Sequence, residues 1–87
     1  MNAPFPTVAI ADDYALFRQA AVTILSQIGF HVILEVADGL DLLGLLSHYA
    51  PLPDIFVLDI DMPFMDGYET ARRLRNAVYY WWARKGC

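Results

Sequence analysis

Three short apolar runs alternate with longer segments, and this alternation restricts the fold of the chain more than any other feature. The runs are Thr7–Ala11, His31–Val36 and Asp54–Leu58. A predominantly apolar run of this length is typical of a strand that is buried on both faces. Such strands occur in parallel sheets whose two faces are covered by helices. The chain is therefore predicted to form an α/β fold.

The segments between the runs have helical spacing. Apolar residues recur at three- and four-residue steps over Tyr14–Ile28, and Gly29 is a suitable C-terminal stop. A second helix is predicted over 40–49, and it ends there because Pro51 cannot continue it. A third helix is predicted to begin at Tyr68. The predicted order is β-α-β-α-β-α, with right-handed crossovers between the strands.

Acidic residues follow two of the predicted strands. Asp12 and Asp13 come directly after the first run, and Asp59 comes directly after the third. If these strands are neighbours, the three carboxylates meet at the carboxyl edge of one sheet, where open α/β sheets bind ligands. They repel each other unless a cation lies among them, and oxygen ligands of this kind suit Mg²⁺. The simpler interpretations are a helix N-cap pair for the first two and a loop carboxylate without a role for the third.

The composition indicates one small domain that lacks part of its covering surface. The chain has 87 residues, of which 57% are hydrophobic, above the usual ~45–50%. Because a domain of this size buries only a modest share of its surface, the excess suggests that a partner surface completes the core. The formal net charge of −4 argues against a nucleic-acid-binding module, which would carry a basic face.

Several features favour a cytoplasmic protein. Cys87 is the single cysteine and cannot form an intrachain disulfide. Residues 1–6 contain two prolines and are predicted to be a short flexible lead-in, not a signal peptide. No apolar run approaches the ~20 residues of a membrane span, so no membrane contact is expected.

Three motifs occur in a specific order along the chain. They are Ile10-Ala11-Asp12-Asp13, Leu58-Asp59-Ile60-Asp61-Met62-Pro63 and Met65-Asp66-Gly67. Together these motifs resemble the response-regulator receiver domain, and the resemblance covers roughly residues 7–76. The segment Asp13–Arg18 is similar to receivers attached to helix-turn-helix effectors of the LuxR/NarL type.

The resemblance implies a flavodoxin-like (CheY-like) doubly wound parallel sheet and a role in two-component phosphorelay signalling. A histidine kinase would transfer a phosphoryl group to Asp59, the phosphoacceptor. Mg²⁺ would be held by Asp12, Asp13, Asp59 and the backbone carbonyl of Asp61, and it would offset the repulsion between the reacting anions. The module would act through protein interactions and would not be an enzyme in its own right.

The sequence departs from the family after the third helix. Receivers continue with a fourth strand ending in Ser or Thr and a fifth ending in Lys, so the chain is expected to be a truncated receiver of about three strands and three helices. Thr70 and Lys85 do not stand in those contexts and are given neither role. A homodimer is expected to cover the missing half. The alternative is a vestigial, non-phosphorylated receiver that acts as a dimerisation module.

Residues 77–87 form an aromatic and basic tail for which two predictions are open. The tail could extend the third helix, or Val78–Trp82 could form an aromatic fourth strand. Because densely spaced aromatic side chains are unfavourable to expose, either arrangement indicates an interface segment. A further rival, a haloacid-dehalogenase-like phosphatase, is suggested by Asp59-Ile60-Asp61. The acidic pair and the Met-Pro motif fit the receiver better.

Overall fold

The computed structural model describes residues 5–48, 52–74 and 79–83, the last of these as backbone only. Helices and strands alternate through this part of the chain. In chain order they are β1 (Thr7–Ala11), α1 (Ala15–Gln27), β2 (His31–Val36), α2 (Gly39–Leu46), β3 (Ile55–Asp59), α3 (Gly67–Arg73) and β4 (Tyr79–Ala83).

The strands form one parallel sheet in the order β2-β1-β3-β4. β1 lies inside the sheet, where Ala11 is paired with Val36 of β2 on one side and with Leu58 of β3 on the other. The register between β1 and β2 shifts between Val8 and Ala9. Because β1 has strand neighbours on both edges and helices near both faces, its residues from Val8 onward are almost completely buried. The predicted doubly wound, partial flavodoxin-like sheet is confirmed.

The hydrophobic core lies on the face of the sheet that α2 and α3 cover. Its side chains come from alternate positions of the strands, as expected when successive residues point to opposite faces. Phe56 is the largest fully buried side chain. The buried members of the core are Ala9, Ala11, Leu34, Val36, Leu42, Leu46, Phe56, Leu58, Met62, Ala71 and Leu74. α1 contacts β1 and β2 and contributes none of these residues.

Aspartate side chains cap the two helices that cover the core. The Asp38 carboxylate accepts the backbone N–H of Asp41 at 2.8 Å, and the Asp66 carboxylate accepts that of Glu69 at 2.8 Å. An N-cap of this kind satisfies a donor that the helix itself leaves without a partner. The caps fix the starts of α2 and α3, and α2 ends at Leu46 instead of extending to the predicted position 49.

The prediction that the tail extends the third helix is wrong. α3 ends at Arg73, and Tyr79–Ala83 pairs in parallel with β3, with Tyr79 opposite Ile55. Aromatic residues favour strands, and the edge of β3 supplies the backbone partners that an extended segment requires. The sheet therefore has a fourth strand, close to the alternative prediction of Val78–Trp82.

Other expectations fall partly outside the described residues. Residues 1–4 of the predicted lead-in and residues 84–87 of the predicted tail lie outside them. Within the described part of the chain, no helix has the length and apolar character needed to cross a membrane.

Candidate functional site

Three carboxylates meet at the carboxyl edge of the sheet. Asp12 and Asp13 follow β1, and Asp59 is the last residue of β3. One oxygen from each carboxylate lies within 4.8 Å of the corresponding oxygens of the other two. The parallel pairing of Ala11 with Leu58 brings the strand ends together, as the sequence predicted. We call these three residues the acidic cluster.

Hydrogen bonds hold both the backbone and the carboxylate of Asp12 in place. Its N–H donates to the Val36 carbonyl at 3.0 Å, which extends the ladder between β1 and β2 by one residue. Its side-chain Oδ1 accepts the Tyr14 N–H at 2.9 Å, and its carbonyl accepts the Arg18 guanidinium at 2.6 Å. Asp12 is therefore a rigid, buried member of the cluster.

Arg18 is a supporting residue that the sequence analysis missed. Its guanidinium reaches back from α1 to Asp12, and its Nε lies 3.9 Å from the carboxylate of Glu35 in β2. The cation therefore connects the first helix, the end of β1 and the outer strand. The signals in the sequence are that Arg18 is the single charged residue of α1 and that it ends the segment Asp13–Arg18, for which no role was predicted.

Asp59 is the most deeply buried member of the acidic cluster, with 1% of its surface exposed. Its Oδ1 accepts the backbone N–H of Asp61 at 3.3 Å, so the loop after β3 turns back over the carboxylate. Asp13 is exposed, as is Asp61. The cluster thus has two buried carboxylates and one that faces solvent, which leaves a side from which a ligand can approach.

Gly67 allows the start of α3 to lie directly against the end of β3. Its N–H donates to the Ile60 carbonyl at 2.8 Å. A Cβ atom at this position would collide with the Asp59 carbonyl oxygen and would lie 2.8 Å from the Ile60 Cα. The Met-Asp-Gly motif therefore has a steric reason, because only glycine permits this approach to the backbone that carries Asp59.

Phe64 is the unusual residue of the loop between Asp59 and α3. It has a φ of +67°, in the left-handed region that is unfavourable for a residue with a Cβ. Its side chain is 83% exposed, so burial does not compensate for the backbone conformation. The sequence analysis did not single it out.

The acidic cluster is compatible with a magnesium ion. Its three carboxylate oxygens lie within 4.8 Å of one another, so they would have to move closer together to bind one small Mg²⁺ ion, whose ligand distances are about 2.1 Å. Carboxylates are also the donor type that this ion prefers. The backbone holds Asp12 in place, so we expect binding to move the exposed Asp13 most.

Residues 8–80 match the response regulator receiver domain family. The chain belongs to this family. Receivers are the modules of two-component signalling, they generally bind Mg²⁺ at an acidic pocket, and they typically interact with histidine kinases. Among the described residues of this receiver, the acidic cluster is a group that could hold a metal ion.

Individual relatives agree with this assignment. Over 70 residues the receiver is 41% identical to the transcriptional regulatory protein NarL of Mycobacterium tuberculosis, covering 79% of this chain and 32% of that protein. Among solved structures, the signal receiver domain of NarL from the same organism has a TM-score of 0.84 at 31% identity, covering 98% of this chain and 70% of that one. The receiver spans about a third or less of the length of the curated relatives that it matches.

A solved complex also contains a fold similar to that of the receiver. The CheX–CheY–BeF₃–Mg²⁺ complex of Borrelia burgdorferi has a TM-score of 0.76 at 32% identity, covering 92% of this chain and 63% of that one.

Proposed function

We propose that this receiver accepts a phosphoryl group on Asp59 from a histidine kinase. Mg²⁺ would be held by the carboxylates of Asp12, Asp13 and Asp59 together with the backbone carbonyl of Asp61. The observation that carries the proposal is the meeting of three carboxylates at one sheet edge, with their oxygens within 4.8 Å. The Borrelia complex supports it, since a related fold has been solved with Mg²⁺ and BeF₃.

The transfer is a displacement at phosphorus. A carboxylate oxygen of Asp59 forms a bond to the phosphorus, while the bond from phosphorus to the histidine nitrogen breaks and its electron pair stays on the imidazole. Because the nucleophile and the phosphoryl group are both anions, bound Mg²⁺ lowers the repulsion between them. The buried position of Asp59 excludes water from one side of the acyl phosphate that forms.

The other residues of the site have positioning roles. Arg18 fixes the Asp12 carbonyl, and the Asp61 N–H holds one oxygen of Asp59. Asp13 is exposed and lies at the mouth of the site. A rigid arrangement of this kind lowers the cost of aligning the reacting atoms.

We test this function by measuring the intact mass of the protein after incubation with acetyl phosphate, with and without Mg²⁺. The expected result is one added phosphoryl group that requires both Mg²⁺ and Asp59, so that Asp59→Asn shows none. The matched control is Asp41→Asn, which makes the same chemical change at an exposed position of α2 and should be phosphorylated like the wild type. A folded wild-type protein without the adduct would contradict the proposal.

A second candidate function is dimerisation. The outer edges of β2 and β4 have no strand neighbour among the described residues, and strand edges of this kind are association sites. Several large apolar side chains are also exposed. Two copies are proposed to associate as a homodimer, with or without phosphorylation. A monomer in static light scattering at tens of micromolar would contradict this.

A further inference from the structure

Phe64 combines an unfavourable backbone conformation with an exposed apolar ring. The Met65 N–H donates to the Pro63 carbonyl at 2.7 Å, which closes a three-residue turn centred on Phe64. Its φ of +67° belongs to the rare and strained form of this turn. The ring is 83% exposed, more than any other large apolar side chain of the described residues. Neither backbone preference nor burial therefore favours phenylalanine at this position.

The loop that carries Phe64 is anchored by its neighbours. Met62 and Met65, on either side of the turn, are each 7% exposed. The Gly67 N–H donates to the Ile60 carbonyl at 2.8 Å, so the loop is closed between β3 and the start of α3. Phe64 is thus held in a strained conformation by buried residues on both sides. Strain that the surrounding structure maintains is concentrated at functional sites.

The exposed aromatic side chains of the receiver are concentrated at the sheet edge that carries the acidic cluster. Among the described residues they are Phe5, Tyr14, Phe17, Phe64 and Tyr68. All except Phe5 lie in the loop or the first helical turn that follows β1 or β3. We call these four residues the aromatic rim. The rings of Tyr14 and Phe17 pack edge to face with their centroids 4.8 Å apart, so this part of the rim is already ordered.

The position of the aromatic rim indicates what binds to it. A phosphoryl group approaches Asp59 from the side of the acidic cluster where Asp13 is exposed. A protein that carries this group must therefore lie against the segments that follow β1 and β3. The net charge of −4 repels a phosphorylated donor, so uncharged contacts have to supply the attraction. Exposed aromatic side chains are suited to this, because they dominate the binding energy of many protein interfaces.

We infer that Phe64 is a docking residue for the protein that donates the phosphoryl group, with the rest of the aromatic rim around it. The donor would present an apolar pocket beside its phosphohistidine, and the ring of Phe64 would enter this pocket. The strained turn holds the ring in place before the donor arrives, so less conformational freedom is lost on binding. This inference rests on the proposed function and adds the residue by which the receiver distinguishes a protein donor from a small one.

We test the inference by comparing two phosphodonors, acetyl phosphate and an autophosphorylated histidine kinase. The kinase is the member of a purified panel that labels the wild type fastest. Phe64→Gly should lower the labelling rate with the kinase at least about tenfold more than the rate with acetyl phosphate. Phe64→Tyr keeps the ring and should transfer like the wild type. The matched control is Leu52→Gly, which removes a side chain that is 47% exposed before β3 and should change neither rate.

Competition measures docking separately from phosphoryl transfer. Asp59→Asn lacks the acceptor but keeps the aromatic rim, so it should inhibit transfer from the kinase to the wild type. The double variant Asp59→Asn/Phe64→Gly should inhibit at least about tenfold more weakly. Urea unfolding checks that both proteins are folded.

The outcomes distinguish the inference from the proposed function. If Phe64→Gly slows both donors equally, or if the single and double variants inhibit equally, the inference is overturned and the proposed function stands. A wild type that acetyl phosphate labels and no kinase of the panel labels would also overturn the inference. A folded wild type that neither donor labels would overturn the proposed function.

Discussion

Replacing Gly67 by alanine should be one of the most damaging small substitutions in this receiver. The added Cβ would collide with the Asp59 carbonyl oxygen and would lie 2.8 Å from the Ile60 Cα and 3.0 Å from the Asp59 carbonyl carbon. All three are backbone atoms, so no side-chain rotation can relieve the contact. Either α3 or the end of β3 must move.

The expected loss of unfolding free energy is about 1–3 kcal/mol, the usual cost of forcing extra volume into a packed site. A domain of 87 residues is expected to have about 4–13 kcal/mol in total. A loss of about 2 kcal/mol should lower the melting temperature by roughly 8–16 °C. Because the displaced backbone carries Asp59, phosphorylation by acetyl phosphate should also slow.

The matched control is Gly44→Ala in α2. An ideal Cβ at that position meets no atom within 4 Å, so the substitution should stabilise the helix by about 0.5–1 kcal/mol. Urea unfolding followed by far-UV circular dichroism measures the stability of both variants. Their urea midpoints can be compared directly if the dependence of the unfolding free energy on urea concentration is the same. A Gly67→Ala protein as stable as the wild type would refute the steric role of the glycine.

Three further outcomes follow from the structure. Phe64→Gly should raise the free energy of unfolding by about 0.5–1 kcal/mol. The relief of about 1–2 kcal/mol of left-handed backbone strain exceeds the stabilisation of the unfolded chain by the added entropy of glycine. A lower urea midpoint than that of the wild type would contradict this. Mg²⁺ at about a hundred times its dissociation constant should raise the unfolding free energy by about 2.7 kcal/mol, which a thermal melt detects as a higher melting temperature. An equal rise in the Asp12→Asn variant would argue against this site. The hydrogen bond from Arg72, and then that from Arg73, lowers the pKa of Glu69 below 4.5. The stabilisation is therefore present above that pH and is lost as the pH falls through the lowered value. The stability difference between wild type and Glu69→Gln should accordingly shrink in urea melts below about pH 4.5, and a difference that stays constant would count against the ion pair.

The sequence predicted the order of elements and the acidic cluster because both depend on local patterns. Apolar runs fix the strands, and parallel topology then forces residues after β1 and β3 to the same edge. The position of β4 could not be predicted with the same ease, because its conformation depends on pairing with β3. Helical spacing identified α1 correctly, but it did not indicate that Leu16 and Ile24 are exposed.

Other features depended on contacts that no local pattern encodes. The hydrogen bond from Arg18 in the first turn of α1 to the Asp12 carbonyl requires the first strand to end where it does. The left-handed backbone at Phe64 contradicts the preference of the residue itself, so the surrounding loop must impose it. Predicting either would have required the packed structure.

The acidic cluster is assembled from two segments that are far apart in the chain, since Asp12 and Asp13 follow β1 and Asp59 ends β3. Neither segment alone can hold a divalent ion in this way, so the unfolded chain has no such site and metal affinity reports on folding. A variant that is only half folded should show an apparent dissociation constant for Mg²⁺ about twice that of the folded form. Substitutions far from the acidic cluster would then weaken metal binding without touching a ligand, and added Mg²⁺ would restore their fold.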